Sequence, residues 1–450
     1  MTELEKLRRA ALSIYEAALR RADAGAALRR AVRLDGARLR VFDDEFDLAR
    51  RPRVYSVAVG KAARAMASAL EDVLGENFAR GVLSAPPGAH LLSSRWEVYE
   101  GGHPLPDEES LAAGRAALRL VGEADRDDAL LLFLVSGGGS AMLECARDAA
   151  LTLDDLREAN RLLVGCGANI AEVNAVRRAL SAIKGGGLSA RAPRAAQLTL
   201  VVSDVNAGRE SDVASGPTLP PPRDAPEALR VVERHGLLAR LPTSVLRALE
   251  NFAADRTRAA SPHSHRHYLL LDNGSALESA ARAARAEGFA VETASDLVEQ
   301  DVAEGSAALA SRLLELYERE GTRTRGVCLV SGGEFACPVR GAGAGGRSSE
   351  TALRLALEFE RLSAAQSDDG TRPAGFAVLC AGTDGIDGNS PAAGALADHT
   401  TLTRARALGL DAHASLDASD SYTFFNSLGD AVVTWPTGTN VRDLRILLAG

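Results

Sequence analysis

The stretch Ala129-Leu130-Leu131-Leu132-Phe133-Leu134-Val135-Ser136-Gly137-Gly138-Gly139-Ser140 joins an unbroken apolar run to a turn of glycine and serine. An apolar run without alternation predicts a strand over Ala129–Val135 that is buried on both faces, as in a helix-covered parallel sheet. Three consecutive glycines cost backbone entropy on folding, more than a plain strand-to-helix turn requires. They let successive N–H groups converge on an anion, and Ser136 and Ser140 add hydroxyl donors. In open parallel sheets, ligands gather outside the carboxyl ends of the strands, where this turn lies.

To the N-terminal side, Arg53–Val59 predicts a second strand and Ala62–Leu74 the helix after it. Gly60-Lys61 lies between them, which sets an ammonium beside a helix N-terminus; the P-loop pattern GxxxxGK[ST] is absent from the chain. To the C-terminal side come helices at Leu153–Val164 and Asn169–Ile183, stopped by Gly185–Gly187, and a strand at Gln197–Val202. Pro217–Pro226 is proline-rich and irregular, and Arg256–Ser264 has the polar character of a linker. Beyond it, strands His267–Leu271, Ala290–Ala294, Gly326–Val330 and Phe376–Cys380 alternate with helices Ser275–Glu287, Val302–Glu318 and Ser348–Leu362. A short helix is expected near Ala392–Ala397. The alternation predicts the α/β class, with domains over 1–255 and 256–450. Leu134–Gly138 echoes Leu329–Gly333, and Val202-Ser203-Asp204 echoes Gly382-Thr383-Asp384, as two related open sheets facing across a cleft would.

The 450 residues are 46% hydrophobic and 25% charged, which fits a globular chain rather than a disordered or fibrous one. Sixty acids against 52 bases leave a net charge of −8 at pH 7, which argues against a nucleic-acid binder. No apolar stretch is long enough to span a bilayer, and the charged start predicts an amphipathic helix rather than a secretory signal. The five cysteines form no CxxC and are expected as buried, reduced thiols in a cytoplasmic protein. Only Lys6, Lys61 and Lys184 among the basic residues are lysines. Such a bias should leave lysine where a compact point charge serves better than a planar guanidinium.

Other segments carry candidate chemistry. Asn174, Arg177, Ser181 and Lys184 form a polar stripe at helical steps, read equally well as a solvated face or a ligand site. Asp204, Asp212, Asp384 and Asp387 are the carboxylates best placed for magnesium. Gly341–Gly346 contains a literal GxGxxG, but Pro338 interrupts the approach and Glu358 and Glu360 fall inside a predicted helix. A loop contacting nucleotide or phosphate, with Arg347 as its cation, fits better than a dinucleotide fingerprint. The run His263-Ser264-His265-Arg266-His267 is expected to be solvent-exposed linker, whereas His103 sits in a loop stiffened by Pro104 and Pro106. No GxSxG or HExxH occurs.

Taken in order, the motifs resemble the glycerate 2-kinase family, whose C-terminal region is the MOFRL domain. The matching pieces are Val59–Ala63, Gly102–Asp107, Ser136–Ala141, Asn174–Arg177, Lys184–Gly186, Ser203–Val205 and Ala214–Thr218. They continue through Ser331–Glu334, Gly345–Arg347, Gly382–Gly388, Asp420–Phe425 and Pro436–Val441. The resemblance implies two Rossmann-like open-sheet domains with the active site between them. It also implies magnesium-dependent transfer of the γ-phosphoryl of ATP to the 2-hydroxyl of D-glycerate. Lys61, Asp204, Arg347 and Asp384 match positions used catalytically.

Residue pattern and resemblance together assign Ser136, Gly137, Gly138, Gly139, Ser140, Asn174, Arg177 and Lys184 to the substrate. They assign Gly332, Gly333, Glu334, Gly345 and Gly346 to the nucleotide, and Asp204, Asp384 and Asp387 to the metal. A small-molecule substrate is expected, with no nucleic-acid or membrane partner; a homodimer is compatible. The alternatives are an NAD(P)H-dependent hydroxypyruvate reductase and a catalytically weakened binder of sugar acids or nucleotides. Three departures from the family pattern stand out. SDVxGD is Ser203-Asp204-Val205-Asn206-Ala207-Gly208 here, without the second acid. GGRNQE is Gly345-Gly346-Arg347-Ser348-Ser349-Glu350, and Asn389-Ser390-Pro391 replaces the usual Pro-Thr-Asp.

Overall fold

The computed structural model describes residues 2–88, 92–254, 265–321, 324–364, 373–434 and 436–450. Two compact units share the chain: Ala24–Leu271, and residues 1–23 together with Asp272–Gly450. The boundary expected at 255/256 therefore moves to Leu271/Asp272, and the first helix, Glu3–Arg21, joins the later residues. Strand pairing explains the first shift, because His265–Leu271 completes the sheet of the first unit. Packing explains the second: Ile14, Tyr15 and Ala18 on that helix are buried, and the Tyr15 hydroxyl donates to Gly382 O at 2.7 Å. The expected linker over Arg256–Ser264 lies outside the described residues.

Among the described residues of the Ala24–Leu271 unit, an antiparallel meander of β1 (Val32–Asp35), β2 (Arg38–Val41) and β3 (Asp44–Asp47) comes first. A six-stranded parallel sheet follows: β4 (Val54–Val59), β5 (Phe78–Ser84), β6 (Trp96–Tyr99), β7 (Leu130–Ser136), β8 (Ala196–Val202) and β9 (His265–Leu271). Its spatial order is β6-β5-β4-β7-β8-β9. The chain starts in the middle, runs out to one edge, then returns and runs to the other. This reversal creates a topological switch point between β4 and β7. Every residue of β4, β7 and β8 is buried, as the apolar runs predicted. Tyr55, Val57 and Val59 share one core with Ala113, Ala117 and Val121 of the Glu108–Arg126 helix. Asp107 starts that helix by accepting from Ser110 N at 2.8 Å.

The other unit's six-stranded sheet has the order β10-β11-β15-β12-β13-β14. Its strands are β10 (Ala290–Ala294), β11 (Val327–Gly333), β12 (Phe376–Gly382), β13 (Gly394–Asp398), β14 (Ala431–Val432) and β15 (Asp443–Ala449). β15 inserts antiparallel between β11 and β12, so this sheet is open but mixed and is no copy of the first. The insertion places Asp443 opposite both Gly333 and Gly382, at the carboxyl ends of β11 and β12. Where a short helix was expected near Ala392–Ala397, the chain forms β13. Alanine favours helix in isolation, but β13 is wholly buried and pairs with β12 along its length, so the ladder wins. The helix expected to reach Ile183 stops at Leu180, where Ser181 turns extended.

Buried Asp398 and Asp430 each accept hydrogen bonds from both Arg8 of the first helix and Arg404. Arg8→Ala leaves Arg404 as the remaining cation beside both carboxylates, with the Thr400 N–H and hydroxyl still donating to Asp398. Its expected cost is about 2 kcal/mol, below the ~3–5 kcal/mol typical when a buried ion loses every partner. Urea denaturation measures it, and an unchanged midpoint would contradict this docking of the first helix.

Candidate active site

At the switch point, β4 leads into Gly60-Lys61 and β7 into Gly137–Gly139. Lys61 N–H donates to Gly137 O at 2.9 Å, and Ala62 N–H to Ser136 Oγ at 3.1 Å. Ser136 Oγ in turn donates to Val59 O at 3.1 Å, so this buried hydroxyl ties the two turns together and is not offered to a ligand. Gly138 has φ +82°, and a Cβ there would lie 3.3 Å from His103 Cδ2 and 3.4 Å from Lys61 Cγ. A Cβ on Gly137 would collide with the Asp204 carboxylate. Lys61, His103 and Asp204 thus all press against one loop, and only glycine leaves them room.

The loop's last serine is fixed from below. Ser140 Oγ lies 2.8 Å from Ser215 Oγ, which also donates to Asn174 Oδ1 at 2.8 Å. Ala214 and Ser215 hold successive left-handed conformations at φ +50° and +59°, each costing roughly 1–2 kcal/mol. The surroundings enforce that strain: Gly185 N–H donates to Ser215 O at 3.1 Å.

Several expected ligand contacts prove to be internal. Asn174 is buried, bonded to Ser215 and, at 3.3 Å, to Asp212. Lys184 is buried in an ion pair with Glu144, whose carboxylate also accepts from Ser181 Oγ and Cys145 N–H. Burial pushes the Lys184 amine down, and Glu144 opposes that shift. Asp212 binds Arg178 at 2.6 Å and Arg209 at 2.9 Å, so its charge is spent there and does not replace the acid absent from the Ser203–Gly208 segment. The polar stripe is therefore largely an interior network, neither a solvated face nor a ligand site throughout. Arg177, by contrast, lines a cavity.

His265 and His267 are not the exposed linker residues expected, although His267 does lie in the strand expected over His267–Leu271. They lie in β9, where His265 reaches Ser189 Oγ at 3.0 Å and Thr199 Oγ1 at 2.9 Å, and burial pushes its imidazole down to about 3. His263 and Ser264 fall outside the described residues.

In the other unit, Arg347 opens the helix Arg347–Ala364. Its guanidinium donates to Asp443 Oδ2 and to Glu334 Oε1, each at 2.6 Å. Burial works against its charge, but Asp443 and Glu334 outweigh burial and raise it above the ordinary arginine value. Asp384 follows β12 and accepts from Ile386 N–H at 3.1 Å. Burial, with Asp443 and Asp384 nearby, pushes the Tyr15 phenol above its usual range. Asp443 and Tyr15 were missed in the sequence. The available signal was a lone acid opening the apolar run Leu444-Arg445-Ile446-Leu447-Leu448.

Asp387 is not placed to hold a metal. Its two oxygens accept from Ser348 N–H and Ser349 N–H, both at 2.9 Å, and from Ser349 Oγ at 2.5 Å, capping the Arg347–Ala364 helix. Ser348 and Ser349, which replace the family's amide pair, are buried in that cap rather than presented to a ligand. The expected nucleotide contacts are likewise engaged internally. Gly333 N–H donates to Asn273 Oδ1 at 3.1 Å, Gly345 N–H to Asn389 Oδ1 at 2.8 Å and Gly346 N–H to Ser349 Oγ at 3.3 Å. The carbonyls of Gly332 and Gly333 accept from Arg445, whose guanidinium is buried 3.5 Å above the Phe335 ring. Among the described residues, no group of three or more His, Cys, Asp or Glu could hold a metal ion. Magnesium needs only one or two carboxylates when phosphates complete its shell.

The family described as a domain of unknown function, DUF4147, matches residues 10–250, and the MOFRL family matches residues 327–443. A relative from Thermotoga maritima named D-glycerate 2-kinase is 34% identical, over 88% of this chain and 90% of its own length. One from Agrobacterium vitis, named putative hydroxypyruvate reductase, is 36% identical over 90% and 89%. The crystal structure of a glycerate kinase from Thermotoga maritima superposes with a TM-score of 0.81 at 32% identity, covering 99% of this chain and all of that one.

Burial raises the Asp387 carboxyl to about 6, against hydrogen bonds that pull it down. The folded state therefore keeps this proton over a range where an unfolded chain has lost it. The resulting stability is full below about pH 4 and is lost as pH rises through about 6, at most roughly 3 kcal/mol. Asp387→Asn should abolish that slope. Urea titrations from pH 4 to 7 should show the wild-type advantage over the variant shrinking with pH, and a constant difference would contradict the shift.

Proposed function

Because the chain belongs to the glycerate-kinase family that joins a DUF4147 domain to a MOFRL domain, we propose that it transfers the γ-phosphoryl group of ATP to the 2-hydroxyl of D-glycerate. The products are ADP and 2-phosphoglycerate. The observation that carries this reading is the convergence of Lys61 and Asp204 on the Gly137–Gly138 turn, at the switch point of a parallel sheet. Phosphoryl transfer asks mainly for positioning and for stabilisation of spread negative charge. A flexible ammonium, a turn free of side chains and a hard carboxylate supply these.

In this reading, Lys61 neutralises the transferring phosphoryl group, and the loop N–H groups fix its oxygens. Arg347 adds a planar cation, kept in one orientation by Asp443 and Glu334. The proton of the 2-hydroxyl passes to a carboxylate, with Asp204 and Asp384 as the two candidates. That these groups from both units serve one reaction is part of the proposal. Asp204 and Asp384 have the hard oxygen donors that would hold magnesium, which supplies further charge neutralisation at the phosphates. Asp387 is left out because the helix cap takes both its oxygens.

A reductase would need a nicotinamide site. The Gly341–Gly346 loop does not leave β11 directly, and Gly345 and Gly346 turn their N–H groups to Asn389 and Ser349. That disfavours a dinucleotide fingerprint, which springs straight from a strand.

The test is formation of 2-phosphoglycerate from D-glycerate, ATP and magnesium by the purified protein, with NADH oxidation by hydroxypyruvate as the second arm. Turnover in the first arm alone is the expected result. Lys61→Met should lower kcat by about 10²–10³-fold while leaving the denaturation midpoint nearly unchanged. A near-normal rate would remove Lys61 from the chemistry.

A further inference from the structure

Two of the departures from the family pattern, at residues 348–349 and 389–391, meet on the loop that leads into Arg347. Asn389 Oδ1 accepts from Gly345 N–H at 2.8 Å, its Nδ2 donates to Gly343 O at 3.1 Å, and its own N–H donates to Gly345 O at 3.4 Å. One residue holds the peptide groups on both sides of Gly345. Gly346 N–H goes to Ser349 Oγ at 3.3 Å. On the loop's other flank, Gly343 N–H donates to Ala418 O at 2.9 Å and Ala344 N–H to Asp420 Oδ1 at 2.8 Å. The proline of the family pattern has neither the amide nor the N–H that Asn389 uses here.

Asn389 ends the turn that carries Asp384. Asp384 Oδ1 accepts from Ile386 N–H at 3.1 Å, and Asp387 N–H closes the turn on Ala392 O at 2.8 Å. Loop and turn meet backbone to backbone: a Cβ on Gly388, at φ +61°, would collide with Gly345 O, and one on Gly346 with Asp387 Oδ1. The turn therefore grips the chain on either side of Arg347. Asn389 holds Gly345 before it, and Asp387 accepts from Ser348 N–H and Ser349 N–H after it. The arginine reaches Asp443 Oδ2 at 2.6 Å, and a Cβ on Gly382 would lie 3.5 Å from Asp443 Oδ1 and 3.1 Å from Asp384 Oδ1. Arg347, Asp443 and Asp384 are thus gathered around the end of β12. Asn389 is exposed and fills no core, so packing does not account for its three bonds.

We propose that Asn389 is a positioning residue for the phosphoryl transfer: with Asp387 it brackets Arg347, so that the guanidinium and Asp384 move as one body and meet the reacting groups at a fixed spacing. The kinetic consequence rests on the function proposed above; the fastening of the loop to the turn does not.

The test is residue-resolved amide hydrogen exchange on the full chain, together with kinase kinetics. In Asn389→Ala, exchange should quicken about tenfold or more at Gly345, which loses its acceptor, and also at Gly346 and Ile386, whose acceptors Ser349 Oγ and Asp384 Oδ1 remain. The variant's kcat should fall about tenfold with both KM values within twofold. In an Arg347→Met background the same change should cost less than about twofold, because Asn389 acts through that side chain. Thermal melts confirm that each variant is folded. Quickened exchange confined to Gly345 overturns the proposal whatever the activity. Equal losses of kcat in the two backgrounds end the positioning role and spare the kinase. Exchange that spreads to Gly346 and Ile386 in a chain that does not phosphorylate D-glycerate would sustain the fastening and end the kinase reading instead.

Discussion

The hydrogen bond from Lys61 N–H to Gly137 O ties the end of β4 to the end of β7, and the other groups of the first unit take their places from that tie. Ser136 Oγ doubles it by bridging Val59 O and Ala62 N–H. With the two turns locked together, the glycine loop becomes a fixed surface rather than a mobile one. Lys61, His103 and Asp204 can approach it because neither Gly137 nor Gly138 carries a Cβ. Parallel pairing brings these particular strands together, and the reversal of winding between them opens the space beyond their ends.

Buried charge follows a different logic in the two units. Around the glycine loop, Lys184 pairs with Glu144, and Asp212 pairs with Arg178 and Arg209, Arg209 reaching Asp224 as well. In the other unit, Asp443 and Glu334 fix the orientation of Arg347, and Asp387 fixes the start of its helix. Buried Arg445 occupies the carbonyls of Gly332 and Gly333 beneath them. Arg445 and Arg177 stand outside this pattern, the first bonded to main-chain carbonyls and the second to the Asn160 amide beside a cavity.

The sequence revealed the parts governed by local pattern. Apolar runs marked β4, β7, β8, β11 and β12, and the glycines after β7 marked the loop. Long-range pairing stayed hidden. Nothing near Leu444–Ala449 says that this strand inserts between β11 and β12, so Asp443 escaped notice, and Ala392–Ala397 became a strand through its neighbours' ladder. The polar stripe misled for a related reason. Asn174 and Lys184 have the spacing of a ligand face, but their partners Asp212, Ser215 and Glu144 come from distant segments. Asp387 likewise has the composition of a metal ligand and the surroundings of a helix cap. Residue type reveals what chemistry a group can perform, while its bonded neighbours decide whether that capacity is already spent.

The decisive measurement is a crystal structure of the full chain with D-glycerate, magnesium and a non-hydrolysable ATP analogue. Phosphate oxygens are expected within hydrogen-bond distance of the N–H groups of residues 138–140 and of Lys61 Nζ. Phosphates seated elsewhere, with the glycine loop bare, would contradict the role given to that loop.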